Sequence, residues 1–200
     1  ALCADESIIG RAFYVMEFVQ GRVLWDQTLP GASNQERAAI YEEMNRVIAA
    51  LHRVDVRAVG LEAYGKPGNY FERQIGRWSK QYQASITGPN EAIDRLIEWL
   101  PQHIPASARD EREVSIVHGD YRLDNLVFHP TEPRVLAVLD WELSTLGHPL
   151  ADFSYHCMSW HIRKSGAARG LGGVDLASLG IPNELEYVRR YCERTGRGDA

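Results

Sequence analysis

The sequence is short of several things, and each shortage excludes a class of function. No apolar run approaches the roughly 18 residues of a membrane-spanning helix, and no charged-then-apolar leader opens the 200 residues. Three cysteines, Cys3, Cys157 and Cys192, are odd in number and far apart. They make neither a disulfide framework nor a zinc ligand set, so a reducing, cytoplasmic setting is expected. Basic charge is not in excess: 22 Lys and Arg face 27 Asp and Glu, a net charge of −5. That balance argues against a nucleic-acid surface or a polybasic membrane anchor as the main business of the chain. No Gly-x-Ser-x-Gly elbow occurs, and no Gly-Lys-Ser/Thr follows the glycines at Gly166, Gly170, Gly172 and Gly173. A serine hydrolase of the elbow type and a P-loop are thereby disfavoured. Those glycines read instead as a mobile surface loop near an acceptor site. His-x-His and His-Glu-x-x-His are also missing. A metal-dependent hydrolase, drawing on Asp152, His156, His118, Asp120, Asp140 and His148, is therefore only a rival reading.

What is present suits a packed α+β domain: 44% of residues are hydrophobic and 24% charged. Phe13 to Val19 is aromatic and β-branched and reads as a strand, alone at the front, closing at Gln20-Gly21. Ser33-x-x-Glu36 has the form of a capping box, followed by Ile40, Met44, Val47, Ile48 and Leu51 at helical spacing to about Arg53. A second helix is expected after Asn69, burying Ile75, Trp78 and Tyr82. A third is expected after Asn90, burying Ile93, Leu96, Ile97 and Leu100 and ended by Pro101, with Trp99 and Trp160 also read as core. The stretch from Pro101 to Glu113 reads as a loop. Short strands then follow at Val114–Val117, Leu126–Phe128 and Val135–Leu139, with Glu132-Pro133 turning between the last two. A helix is expected from near Asp152 to about Arg163, and Asn183 should cap a last one through Tyr191. Asp152 serves either as an N-cap or as a brace for a neighbouring loop.

The chemistry lies in His118-Gly119-Asp120-Tyr121-Arg122-Leu123-Asp124-Asn125, with Asp140 closing an apolar strand fifteen residues after Asn125. His-x-Asp-x-x-x-x-Asn is the skeleton of a kinase catalytic loop, whose Asp accepts a hydroxyl proton while its Asn holds magnesium. Four intervening residues let one tight loop aim both side chains into a common cleft. A carboxylate after a buried strand adds the hard oxygen that magnesium prefers. At this chain's own frequencies the three fixed positions arise by chance in about 0.01 chains of this length, so coincidence is disfavoured.

These runs, with Val138-Leu139-Asp140-Trp141-Glu142 and Gly147-His148-Pro149-Leu150-Ala151-Asp152, resemble the aminoglycoside phosphotransferase and choline kinase group. Tyr14-Val15-Met16-Glu17, Arg122-Leu123-Asp124-Asn125 and Asp140 to Thr145 are most similar to the phosphotransferase domain found ahead of acyl-CoA dehydrogenase modules. The resemblance implies a protein-kinase-like α+β fold, represented mainly by its helical C-terminal lobe. Residues 1–21 would be the end of the small lobe and the hinge, and 22–200 the large lobe. It implies ATP and Mg2+ as cofactors and a small-molecule hydroxyl as acceptor, a hydroxyacyl thioester or hydroxy acid rather than an aminoglycoside. Asp120 would be the base, and Asn125 and Asp140 the magnesium ligands. His118 would brace the loop, Arg122 would offset phosphoryl charge, and the main chain of Glu17 and Val19 would meet the adenine edge. Trp141-Glu142 replaces the Phe-Gly pair of protein kinases, so their activation switch is not expected. Lys66, Lys80 and Lys164 all follow the hinge, which leaves the small lobe's strand Lys and Gly-rich loop outside the sequence. The expectation is a large lobe cut off at its front, inactive alone; a non-catalytic kinase-like binding module is the contrasting reading.

Overall fold

The computed structural model describes residues 1–66, 68–110, 113–165 and 170–198. Two short strands open the chain, β1 (Leu2–Cys3) and β2 (Phe13–Tyr14), paired antiparallel with Cys3 opposite Phe13. The front strand therefore has a partner, and it is shorter than expected: 15–20 belong to no helix or strand. Val15, Met16 and Phe18 are exposed, Phe18 by 88%. β propensity reflects fit to a pleated, half-buried surface, and these residues have no such surface against them.

β3 (Arg22–Val23) leads to α1 (Asn34–His52), where Ser33 Oγ accepts the Glu36 amide at 3.2 Å. Glu36 does not complete the capping box; its carboxylate takes Arg22 Nη1 at 2.9 Å and so ties the helix start to β3. Next come α2 (Tyr70–Ser85) and α3 (Glu91–Trp99), the latter capped by Asn90 Oδ1 on the Ile93 amide. Both helices form as their periodicity predicts, yet neither contains a buried residue, and Trp78, Leu96 and Trp99 are about half exposed. Helical period identifies an apolar face but not what lies against it. Pro101 sits within a 3₁₀ turn, Leu100–Gln102, and a second turn spans Ala106–Arg109, so the expected loop is partly helical.

β4 (Ser115–Val117), β5 (Leu126–Phe128), β6 (Val135–Val138) and β7 (Thr145–Gly147) follow. β5 and β6 form the expected hairpin, and β3 adds to its free edge, giving the order β3-β5-β6. Gly21 permits that addition, because a Cβ there would stand 2.3 Å from the Phe128 carbonyl oxygen. β4 pairs with β7, Ile116 opposite Leu146. α4 (Pro149–Cys157) starts three residues before the position expected, with Pro149 at its first turn and His148 Nδ1 accepting the Leu150 amide. Asp152 is consequently inside the helix and is not its N-cap. α5 (Leu176–Leu179) and α6 (Glu184–Thr195) complete the chain, and Asn183 and Glu186 form a full capping box. Gly166 lies outside the described residues. The described part of its loop is held rather than loose: Leu171 is buried, and its amide donates to the Ser159 carbonyl at 2.7 Å. No helix among the described residues is long and apolar enough to cross a membrane.

The core lies between α1, α4 and α6. Ile40, Met44 and Ile48 of α1 meet Tyr187 and Tyr191 of α6, with Leu123, Leu126, Phe128 and Phe153 closing the space. Phe153 and Tyr191 stack with centroids 3.8 Å apart. His156 is buried here, its Nδ1 donating to the Tyr121 carbonyl at 3.2 Å and its Nε2 accepting the Tyr187 hydroxyl at 2.7 Å. Burial pushes its pKa down to about 4, which keeps the ring neutral. The unfolded chain, with an ordinary value of about 6.5, binds the extra proton first, so stability is complete above about pH 6.5 and falls as pH drops toward 4. The expected loss is on the order of 3 kcal/mol, measured by urea titration at stepped pH. His156→Asn, which keeps a donor for Tyr121, should flatten the curve in that window; an unchanged slope would refute the assignment.

Candidate active site

Three sheet ends position the site. The loop after β4 carries His118 to Asn125, β5 begins immediately after Asn125, and Asp140 lies two residues past the end of β6. The Leu139 amide donates to the Asn125 carbonyl at 2.8 Å, which joins the loop to the strand end bearing Asp140. Asn125 Nδ2 donates to Asp120 twice, to its carbonyl at 2.8 Å and its Oδ2 at 3.1 Å. Because the amide is planar, its Oδ1 is turned away from Asp120. Asp140 is exposed and takes a left-handed conformation, φ 64°. Aspartate tolerates that region better than most residues, at a cost of about 1 kcal/mol or more, and such strain gathers at functional sites.

His118 is fully buried and structural in its contacts. Its Nε2 donates to the Leu139 carbonyl at 2.8 Å, and its Nδ1 accepts the Asp120 amide at 3.2 Å. This assigns one neutral tautomer, with the ring joining the loop to the Asp140 strand. Gly119 has φ +83°, and a Cβ there would stand 2.8 Å from the Leu143 carbonyl oxygen, so only glycine fits.

Asp152 holds this loop from behind: Oδ2 accepts the His118 amide at 2.7 Å and Oδ1 the Gly119 amide at 2.9 Å. His52 Nε2 reaches Oδ2 at 3.1 Å, and His52 Nδ1 meets the Tyr191 hydroxyl at 2.7 Å. Burial alone would raise the Asp152 pKa, but the His52 bond and charge with the two amides outweigh it and hold the carboxyl below its ordinary value.

Arg122 is half exposed, and its guanidinium is engaged by Asp124, through Nε at 3.0 Å and through Nη2. It stands 4.0 Å from Asp120 Oδ1. The same oxygen is met by Tyr155 of α4, whose hydroxyl donates to Asp120 Oδ1 at 2.6 Å. A cleft of about 390 Å³ opens beside these groups, walled by Trp25, Met158 and Ile162 with Arg122, Asp124 and Tyr155. Glu17 is exposed and Val19 half-buried, both in the front segment that belongs to no helix or strand. Among the described residues no three His, Cys, Asp or Glu side chains gather to hold a metal. A divalent ion here would depend on the Asn125 amide oxygen, the Asp140 carboxylate and ligand oxygens; that hard-oxygen set suits magnesium.

Sequence reading missed Tyr155, Asp124, His52 and Tyr191. Tyr155 could have been found, since it lies three residues after Asp152 and therefore on the same helix face. His52 and Tyr191 carry no local signal, because their bond to each other spans 139 residues and the His52 bond to Asp152 spans 100.

Known proteins resemble this chain in sequence and in fold. The family described as "Phosphotransferase enzyme family" matches residues 1–184. Mouse acyl-CoA dehydrogenase family member 10 is 48% identical over 196 residues, covering 98% of this chain and 18% of its own length. A probable acyl-CoA dehydrogenase of Arabidopsis thaliana, IBR3, is 42% identical over 204 residues, covering 98% and 25%. The chain thus spans a quarter or less of these relatives. A Ralstonia eutropha crystal structure, provisionally named an aminoglycoside phosphotransferase, is 68% identical with a TM-score of 0.93, covering all of this chain and 60% of that one. A macrolide 2'-phosphotransferase of type I shares the fold at 16% identity and TM-score 0.53, covering 95% of this chain and 55% of its own. The architecture is the protein-kinase-like α+β phosphotransferase fold.

Proposed function

The chain belongs to the phosphotransferase enzyme family, and from that premise we propose that it serves ATP- and Mg2+-dependent transfer of the γ-phosphoryl group to a small-molecule hydroxyl. The observation that carries this reading is the fixed juxtaposition of the Asp120 loop and the Asp140 strand end, joined by the 2.8 Å bond from the Leu139 amide to the Asn125 carbonyl. In it, Asp120 orients the acceptor hydroxyl and takes its proton as the oxygen attacks in line. Asn125 and Asp140 would hold magnesium, which when bound neutralises charge on the phosphates. The amide of Asn125 is already turned for this, since its nitrogen is occupied by Asp120. Arg122, steered by Asp124, sets a positive charge beside the transferring group. His118 and Asp152 keep the loop in shape. Residues 1–21 act as the small-lobe edge and hinge, where the main chain of Glu17 and Val19 meets adenine.

For the acceptor we favour a hydroxyacyl thioester or hydroxy acid. The cleft walls are Trp25, Met158 and Ile162, which suit an acyl chain. A polycationic aminoglycoside would want free carboxylates, and Asp124 is already paired with Arg122. The names of the mouse and Arabidopsis relatives point to acyl-CoA chemistry as well.

Asp140→Ala in the full-length protein should weaken Mg–ATP binding by roughly 100-fold or more, since it removes a metal ligand outright where even supporting residues are worth 10- to 100-fold. Isothermal titration with a non-hydrolysable ATP analogue, with and without Mg2+, reads this. Unchanged Mg2+-dependent affinity would refute the metal assignment.

A further inference from the structure

Tyr155 belongs to no recognised part of the motif, yet it touches the centre of the site. Its hydroxyl donates to Asp120 Oδ1 at 2.6 Å while Asn125 Nδ2 holds Oδ2 at 3.1 Å. A carboxylate turns easily about its last bond, and two donors on its two oxygens fix that rotation. Tyr155 is itself well anchored. It lies one turn after Asp152 on α4, and Asp152 grips the amides of His118 and Gly119. α4 thus holds the loop at its backbone through one side chain and at its carboxylate through the next on the same face. The phenol is also a permanent donor: burial and the Asp120 bond raise its pKa above the ordinary value.

The ring has a second position of interest. Among the described residues Tyr155 is the single wall shared by the 390 Å³ cleft and a neighbouring cavity of about 220 Å³, which Gly119, Leu143, Tyr70 and Phe71 also line. Resting on the reading of Asp120 as the base, we propose that Tyr155 is a positioning residue with two separable duties. Its hydroxyl aims Asp120 at the acceptor, and its ring partitions the two cavities and so limits acceptor length.

The test uses the full-length protein, Mg–ATP, and hydroxyhexanoate and hydroxyhexadecanoate as probe acceptors, with ADP release as the readout. Tyr155→Phe keeps the partition and removes the donor. Its kcat should fall roughly 10- to 100-fold, as expected of a misaimed reacting group, with KM for ATP, the short-to-long preference and the melting midpoint unchanged. Tyr155→Ala should lose kcat similarly and also shift preference toward hydroxyhexadecanoate by about tenfold, because the cavities merge. A Tyr155→Phe enzyme within about twofold of wild-type kcat overturns the aiming role. A fall in kcat matched by a fall in melting midpoint overturns it too, by assigning the residue to stability. An unchanged preference in Tyr155→Ala overturns the partition, as does a wild type that phosphorylates neither probe. Asp120→Ala, run in parallel, separates the two levels. Normal turnover there refutes the site reading and this proposal with it, whereas an inactive Asp120→Ala beside a normal Tyr155→Phe refutes the proposal alone.

Discussion

Asp120→Ala is expected to lower kcat by roughly 10²- to 10⁴-fold, the range for losing a positioned general base, while Mg–ATP affinity stays within a few-fold of wild type. The separation follows from the geometry. Asp120 is the middle of a hydrogen-bonded group, between Tyr155 and Asn125, and the proposed metal ligands are the other face of Asn125 and Asp140. Removing the carboxylate takes away the proposed proton acceptor and leaves the amide oxygen of Asn125 fixed by its remaining bond to the Asp120 carbonyl. Asp120→Asn sharpens the test. It keeps the shape and can still accept from Tyr155, though an amide nitrogen replaces the oxygen that Asn125 Nδ2 donates to, and it cannot take a proton. Equal losses in the two variants would identify proton acceptance; near-normal kcat in Asp120→Ala would remove the residue from the mechanism. Steady-state kinetics with hydroxyhexanoate, together with titration of the ATP analogue, measure both quantities.

The largest effect on stability is expected at Asp152. Its carboxylate serves three donors, His52 Nε2 and the amides of His118 and Gly119, in a buried setting. Asp152→Ala leaves all three unpaired, and breaking such a buried network costs about 3–5 kcal/mol. Against a typical total of about 5–15 kcal/mol this is a large fraction. Urea denaturation should show the midpoint falling with an unchanged slope. Asp152→Asn should recover less than half, because its amide nitrogen would face a donor. The pH sign is fixed as well. The folded pKa is held below the ordinary value, so the contribution is complete above about pH 4 and is lost as pH falls through the lower folded value. The gap between wild type and Asp152→Ala should therefore persist from neutral pH to about pH 4 and close below it. A constant gap across that range would refute the ionic origin.

Much of the fold was legible because its signals are local. Ser33, Asn90 and Asn183 announced helices that the structure contains, since a cap acts on amides two or three residues away. Leu126–Phe128 and Val135–Val138 announced a hairpin, because a short turn leaves adjacent strands few alternatives. Burial was less legible. Trp78 and Trp99 carry the periodicity of core residues but are half exposed, since α2 and α3 lie off the core that α1, α4 and α6 build. β1 and β3 were missed because two residues carry too little pattern to register alone, and β7 because Thr145-Leu146-Gly147 holds one large apolar residue and ends in glycine, unlike Leu126–Phe128.

The order of residues alone determined which oxygen-bearing side chains stand at the candidate site: two aspartates and an asparagine, braced by a histidine, at fixed spacing on a loop and at a strand end. Folding in three dimensions decided how those oxygens are held. The Tyr155 hydroxyl on Asp120 and the Asp152–His52–Tyr191 connection depend on which helices lie against the loop. Spacing along a chain is conserved when it folds, so a motif survives translation into structure. Contacts between residues a hundred positions apart exist only once the core has closed, and no local pattern encodes them.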